Sequence, residues 1–260
     1  MRANAALRAL REQSPLIHCM TNFVAMNMAA NVLLAAGASP AMVRAPEEVG
    51  DFTPLAKALT INIGCLSAEG LAAMKTAAAV ARRDGIPWVL DPVAHFATPF
   101  RARAARDLLA LKPDIVRANA SEIIALAGGA ASGKGVDAGD AVADAKTAAG
   151  SLARAHNCVV AVSGPVDFVT DGARAVEIAG GSDLMPKVTA LGCSLTALAG
   201  AYAAVAPPFE AAVAACVHFA EAGERAGAWA AGPGSFAVAF LDALHDLSPE
   251  DLKEERIACL

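Results

Sequence analysis

The sequence predicts an α/β fold, with a mainly parallel central sheet covered by helices on both faces and extended at one edge by antiparallel strands. Three observations carry this. Short apolar runs alternate with longer runs of helical periodicity through most of the chain, the pattern of parallel strands joined by right-handed crossovers. Asp171-Gly172 sits between two alternating runs late in the chain, which signals a hairpin and so antiparallel strands at an edge. The 260 residues are 56% hydrophobic and 18% charged, enough for one large core, so a single domain over 1–260 is expected.

Taken in order, residues 5–11 form a short amphipathic helix, Ser14-Pro15 breaks the chain, and 16–20 read as a buried strand. Thr21-Asn22 caps a helix over 23–36 that is apolar on all sides and stops at Gly37. Asn22, Asn27 and Asn31 stand in that apolar setting, where each buried amide needs a partner. Residues 40–43 are a short strand, 46–55 a polar helix and 59–63 a strand. Ser67 caps a helix that runs to residue 84 and ends at Gly85. Residues 88–92 are a strand with Asp91 near its end, 101–110 a helix, 114–117 a strand, and 121–127 a helix closed by Gly128-Gly129. A loop at 133–139 leads into a helix over 140–156. A fully apolar strand at 158–163 precedes the hairpin runs at 167–172 and 175–178. After a polar approach at 187–189 and a turn at 190–192, an almost charge-free helix reaches residue 205. Further helices lie near 208–225 and 235–245, followed by a polar tail.

Composition excludes several classes of function. A net charge of −5 without a Lys/Arg-rich block argues against nucleic acid or an anionic membrane surface as partner. The uncharged run 188–209 is long enough to cross a bilayer, but it is rich in small residues and ends at Pro207-Pro208. It reads as a helix buried in a large core or at a subunit contact rather than as a span. Six scattered cysteines without C-x-x-C pairs are the usage of a reducing compartment, and residues 1–11 lack a secretory signal's apolar stretch. A cytoplasmic protein acting on a small molecule is expected.

Small-molecule sites in such sheets lie outside the carboxyl ends of the strands. Asn22, Asn62, Asp91, Arg117, Asn119 and Ser163 fall at or just past such ends. The charge-free helix beginning near Gly192 offers unpaired N–H groups and the positive end of its dipole to an anion. Cys193 stands at that end, where the same field favours a thiolate unless apolar surroundings seal the sulfur; a small buried hydrophobe is the other reading. Asp91 and Glu122 are a carboxylate pair suited to Mg²⁺ beside phosphates, or a turn residue and a first-turn residue of a helix. Arg117 closes an otherwise apolar strand and needs an anion, for which phosphate is a good match. Ser163-Gly164 can approach a phosphate or simply turn the chain. His18, Cys19 and His95 lack the spacing of a transition-metal site, and there is no P-loop, dinucleotide or hydrolase motif.

With these residues in place the chain resembles the hydroxyethylthiazole kinase family of the ribokinase-like superfamily. The matching stretches, in order, are Pro15-Leu-Ile-His-Cys-Met-Thr-Asn22, Gly37-Ala-Ser-Pro-Ala-Met42, Asn62-Ile-Gly64, Asp91-Pro-Val93 with Ala97-Thr-Pro-Phe-Arg101, Arg117-Ala-Asn-Ala-Ser-Glu122, and Lys187-Val-Thr189 through Gly192-Cys193. The resemblance implies a ribokinase-like three-layer α/β/α fold and phosphorylation of 4-methyl-5-(2-hydroxyethyl)thiazole by ATP and Mg²⁺. It also implies a homotrimer with active sites shared between subunits. Carried over by position, Met42 contacts the thiazole with Asn22, Val24, Gly64 and Ala190 nearby, Arg117 and Ser163 hold ATP, and Asp91 and Glu122 serve Mg²⁺. Cys193 and Gly192 fall where the reaction takes place, Cys193 in the position of the catalytic Asp of most ribokinase-like enzymes. Two departures stand out: Ala94-His95-Phe96 replaces glycine-rich residues, and Ala190-Leu191 replaces Gly-Thr before Gly192-Cys193. Glycine serves where φ is positive or a ligand approaches the backbone, so Ala190 removes freedom and Leu191 adds bulk beside a phosphate site. The competing readings are a hydroxymethylpyrimidine-type kinase of the same superfamily, which is expected to carry Asp at position 193, and a non-catalytic trimer that binds thiazole or nucleotide.

Overall fold

A computed structural model describes residues 2–129 and 142–260. The loop read at 133–139 lies outside the described residues. The chain enters through α1 (Ala3–Gln13), whose end is marked by Ser14 in a left-handed conformation before Pro15, and continues as β1 (Leu16–Met20). Then come α2 (Met26–Ala36), β2 (Ser39–Ala41), α3 (Val49–Phe52), β3 (Ala58–Asn62), α4 (Ala68–Asp84) and β4 (Trp88–Asp91). The middle of the chain supplies α5 (Pro99–Leu109), β5 (Ile115–Asn119), α6 (Ala120–Leu126), α7 (Val142–His156) and β6 (Val159–Ser163). It closes with β7 (Val166–Thr170), β8 (Ala175–Ala179), α8 (Leu191–Ala203), α9 (Pro208–Trp229), α10 (Pro233–Asp246) and β9 (Ile257–Cys259).

Among the described residues one nine-stranded sheet runs in the order β2-β1-β3-β4-β5-β6-β7-β8-β9. The pairings from β2 to β6 are parallel and those from β6 to β9 antiparallel. One face buries apolar residues of α1, α2, α8, α9 and α10, the other those of α4, α5 and α7. This is the three-layer arrangement that the alternating pattern implies, with the antiparallel edge that Asp171-Gly172 announces. In that hairpin Asp171 Oδ1 accepts from the N–H of Ala173 and Arg174, and Gly172 takes φ +89°.

Several boundaries differ from the sequence reading, each for a local reason. The helix expected over 23–36 starts only at Met26, because Asn22 Oδ1 accepts from the N–H of Ala25 and turns residues 23–25 first. Asn27 is exposed and Asn31 only half-buried; the Asn31 amide donates to Asn27, so neither sits in the apolar interior. The polar helix expected over 46–55 shrinks to α3 plus a 3₁₀ turn at Thr53–Leu55, where Pro54 cannot continue an α-helix. The tail, read as merely polar, pairs with β8 as β9.

The organising element is α8. Its residues are buried except for Gly192 and Cys193 at the amino end, which explains a helix without charges: it packs between the sheet, α2 and α9. No helix among the described residues is long and apolar enough to cross a membrane. The close approach of α8 to the sheet depends on Gly200, where a Cβ would lie 2.2 Å from Thr60 Cγ2 on β3. Thr60 is buried and stiff at χ1, so it cannot yield. Gly200→Ala is therefore expected to destabilise the protein by about 1–2 kcal/mol despite alanine's better helix propensity. A lowered urea midpoint at unchanged slope is the expected reading.

Candidate active site

Strand periodicity and register assemble the site. Successive residues point to opposite faces of a sheet. On the face covered by α8, Ala58, Val89, Ile115 and Ala161 are core residues, and the same face carries Asn62, Asp91, Arg117 and Ser163 at or near the strand exits. Asn62 is the direct cross-strand partner of Asp91 in the β3–β4 ladder. Strand β5 runs two residues further than the sequence suggests, to Asn119, so Arg117 lies inside it rather than at its end. Its side chain is therefore buried beneath α8.

The Arg117 guanidinium is the centre of the arrangement. Nη2 donates to Ser163 Oγ, and Nη1 lies 3.5 Å from Asp91 Oδ2. A Cβ on Gly192 would sit 3.2 Å from both terminal nitrogens, which places the cation directly under the first turn of α8. That turn carries no side-chain cap. A guanidinium and an uncapped helix N-terminus on one spot make an anion-binding position.

Asp91 is fully buried. Its Oδ2 accepts from Asn62 Nδ2 and from Thr196 Oγ1, each at 2.7 Å, while Oδ1 has no hydrogen-bond partner. Burial raises its pKa above the ordinary carboxylate value, against the opposing effect of Arg117. Glu122 closes a capping box at the start of α6: Oε2 accepts from Asn119 N–H and Asn119 Oδ1 from Glu122 N–H. Its Oε1 accepts from Ala94 N–H. Burial, and then the charge of Asp91, lift the Glu122 carboxyl to about 7. The first-turn reading of Glu122 thus describes its contacts, and each oxygen keeps a lone pair for another partner. Together with the unpartnered Asp91 Oδ1 this suits Mg²⁺, which takes one or two carboxylates and completes its shell with water and phosphate. Among the described residues no cluster of three or more His, Cys, Asp and Glu exists to hold a metal ion, so this pair of carboxylates is what the side chains offer and water and phosphate would complete the shell. His18 is a core histidine, its ring bonded to Thr53 Oγ1 and to the Val43 carbonyl.

Cys193 occupies the third position of α8, half-buried, and its Sγ is 3.3 Å from Asn22 Nδ2. The helix field does not win there. Burial, and then Asp91, push the thiol up to about 11, so the condition for a thiolate, a sulfur not sealed by its surroundings, is not met and the thiol stays protonated. Asn22 also donates to Asn62 Oδ1, and Gly64 N–H donates to the same oxygen. A Cβ on Gly64 would come within 2.6 Å of Asn22 Nδ2, so this pairing needs a glycine. Arg101 fastens the neighbouring loops by donating to the carbonyls of Ile63, Gly64 and Val93.

The structure thus joins Asn22, Gly64, Asp91, Arg117, Glu122, Ser163, Gly192 and Cys193. Met42 lies just past β2, half-buried against the core, and Val24 is exposed in the turn before α2. The two departures from family glycines both fall in left-handed backbone, Ala94 at φ +47° and Ala190 at φ +69°. Leu191, expected to crowd the phosphate site, instead turns into the core. Ala190→Gly is expected to raise stability by about 1 kcal/mol or less, because relief of left-handed strain exceeds the entropy that glycine adds to the unfolded chain. A thermal melt reads this directly.

Sequence reasoning missed Thr196, Arg101 as a loop clamp, and Asp167. The last accepts from Gly164 N–H near the Arg117 charge, and burial lifts it to about 6. The spacing of Thr196, one turn past Cys193 on a charge-free helix, was the available signal. Asn119 three residues before Glu122 was likewise a legible capping box.

The hydroxyethylthiazole kinase family model matches residues 7–250. The chain is 63% identical over 248 residues to a hydroxyethylthiazole kinase of Rhizobium etli (strain CIAT 652), covering 95% of this chain and 96% of that protein. It is 59% identical over 248 residues to that of Roseobacter denitrificans (strain ATCC 33942 / OCh 114), covering 95% and 96%. Among solved structures, the hydroxyethylthiazole kinase protein from Pyrococcus horikoshii OT3 superposes with a TM-score of 0.92 at 39% identity, over 99% of this chain and 98% of that one. A pyridoxal kinase from Staphylococcus aureus in complex with AMP-PCP and pyridoxal shares the fold, with a TM-score of 0.63 at 17% identity over 80% and 87%.

Proposed function

The chain belongs to the hydroxyethylthiazole kinase family, and from that premise we propose that it transfers the γ-phosphoryl group of ATP to the primary hydroxyl of 4-methyl-5-(2-hydroxyethyl)thiazole in thiamin biosynthesis and salvage. The observation that carries this is the Arg117 guanidinium held under the uncapped first turn of α8, beside Ser163 and Asp91. Such a position favours the polyphosphate of a nucleotide.

The alcohol oxygen forms a bond to the γ-phosphorus as the bond to the bridging β–γ oxygen breaks, and ADP leaves. Through a loose transition state this needs alignment and charge neutralisation more than a strong base. Arg117 and Ser163 bind the ATP phosphates, and the N–H groups at Gly192 and Cys193 receive the transferring oxygens. Asp91 and Glu122 are the residues that would hold Mg²⁺, which neutralises phosphate charge when bound. Asn22, Val24, Met42, Gly64 and Ala190 form the thiazole side, and Cys193, a protonated thiol gripped by Asn22, orients the acceptor hydroxyl. That hydroxyl passes its proton late, once the new bond has made it acidic, to a non-bridging oxygen of the transferred phosphoryl group.

Self-association completes this reading. Phe23 and Val24, 68% and 63% exposed, follow Asn22 directly, and Leu34 and Leu55 are similarly exposed. A homotrimer with active sites at subunit interfaces would bury such a surface. Six free cysteines fit a reducing, cytoplasmic setting.

The test is incubation of the purified protein with ATP, Mg²⁺ and the thiazole alcohol, followed by phosphorus NMR. A thiazole monophosphate with stoichiometric ADP is expected. Calorimetric binding of both ligands without product would make the protein a non-catalytic binder, and absence of both would end the reading.

A further inference from the structure

The polar chain beneath α8 has a direction that its backbone donors impose. Gly64 N–H can only donate, so the Asn62 atom it meets is the carbonyl oxygen Oδ1, at 3.0 Å. The Asn62 amide nitrogen must then face Asp91 Oδ2, at 2.7 Å. Ala25 N–H fixes Asn22 by the same logic, leaving the Asn22 amide nitrogen to donate to Asn62 Oδ1 and to Cys193 Sγ. The Thr196 hydroxyl, on a residue only 1% exposed, adds a second strong donor to Asp91 Oδ2 at 2.7 Å. One oxygen of Asp91 therefore accepts hydrogen bonds from two elements, β3 and α8, with Arg117 Nη1 of β5 3.5 Å away, while the other has no hydrogen-bond partner.

We propose that Thr196 and Asn62 are positioning residues for Asp91. By saturating Oδ2 they fix the carboxylate rotamer and leave Oδ1 as the single oxygen offered to a bound cation. Thr196 lies three residues after Cys193, on the same face of α8. Its hydroxyl thus sets the carboxylate relative to the helix turn that receives the phosphoryl group. Asn62 extends the frame to Asn22 and the Cys193 sulfur on the acceptor side. The inference rests on the phosphotransfer reading for its purpose, but the geometry of Asp91 can be tested separately.

Three variants separate positioning from simple packing. Thr196→Val keeps the shape and removes the hydroxyl, Thr196→Ser keeps the hydroxyl, and Asn62→Ser removes the amide donor should the valine variant fail to fold. The readouts are Mn²⁺ affinity in the presence of a non-hydrolysable ATP analogue, followed by electron paramagnetic resonance, together with kcat and the KM for the thiazole alcohol. Loss of a group that orients a metal-facing carboxylate costs about 10–100-fold in metal affinity or activity. Thr196→Val is expected to weaken Mn²⁺ binding and lower kcat by that order with KM for the alcohol little changed, and Thr196→Ser to restore both. Asn62→Ser is expected to share the Mn²⁺ defect and also raise that KM, because it releases Asn22. Unchanged Mn²⁺ affinity in Thr196→Val and Asn62→Ser, or a serine variant at position 196 as defective as valine, would overturn the proposal. If wild type makes no thiazole phosphate the kinase reading falls alone, since the Mn²⁺ comparison still reports on Asp91.

Discussion

Replacing Arg117 by methionine is expected to lower turnover by at least about a thousandfold, the order seen when a transition-state arginine is lost, and to destabilise the folded chain. The side chain is buried, bonded to Ser163 and close to Asp91, which is buried too. Removing one member of a buried ion pair leaves the other uncompensated and costs about 3–5 kcal/mol. The loss has a defined pH dependence. Burial already raises the Asp91 pKa above its ordinary value, and Arg117 opposes that rise; without Arg117 it goes higher. A carboxyl whose pKa is raised on folding holds its proton where the unfolded chain has released one, so the associated stability is present at low pH and is lost as pH rises through the folded pKa. The gap in urea midpoint between wild type and Arg117→Met should therefore be small near pH 4, where an unfolded aspartate titrates, and widest at neutral pH. Arg117→Lys keeps a charge but not the fork that reaches both Ser163 and Asp91; it should fold better than the methionine variant and remain strongly impaired. A methionine variant with wild-type turnover, or a stability gap independent of pH, would remove Arg117 from the centre of the site.

The carboxyl-end residues that this prediction turns on were legible because strand exits are marked twice in the sequence, by the end of an apolar run and by the polar residue that follows. Asn62, Asp91 and Ser163 were found that way, and the alternation of strands and helices that carries them gave the layers. What periodicity does not encode is the face a residue takes when a strand runs on, as β5 does to Asn119, or the contact between distant elements. The spacing of Thr196 puts it one turn past Cys193, but its bond to Asp91 exists only once α8 is laid on β3 and β4. The helix at 23–36 misled for a related reason: Asn22 was read as a cap, yet its amide is shared between Ala25, Asn62 and Cys193, and the helix waits until residue 26. Of the two readings open at Cys193 the sealed sulfur prevails: a helix dipole is a local term of about 1 kcal/mol, and burial beside a carboxylate outweighs it. Sequence can locate the dipole; it cannot say how far the site is sealed.

Cys193→Ala is expected to fold as wild type does and to lose about a hundredfold in turnover, as misplacement of a reacting group by about 1 Å would cause. Stability should change by less than about 1 kcal/mol, because the half-buried sulfur makes one weak hydrogen bond, to Asn22. The serine variant decides what the sulfur does. A thiol held at about 11 is protonated at neutral pH, so its service to the acceptor hydroxyl is to accept from Asn22, donate through S–H and keep the oxygen in line. A serine hydroxyl can do the same with a shorter reach, and Cys193→Ser should recover part of the lost rate, mainly in kcat. If the reaction instead needed a thiolate, serine would be as inactive as alanine. The wild-type kcat would then climb tenfold per pH unit through the range from about 7 to 9, following the small ionised fraction of a group with a pKa near 11. A flat profile there with partial rescue by serine assigns Cys193 to alignment, and leaves neutralisation of the transferring group to Arg117 and the first turn of α8.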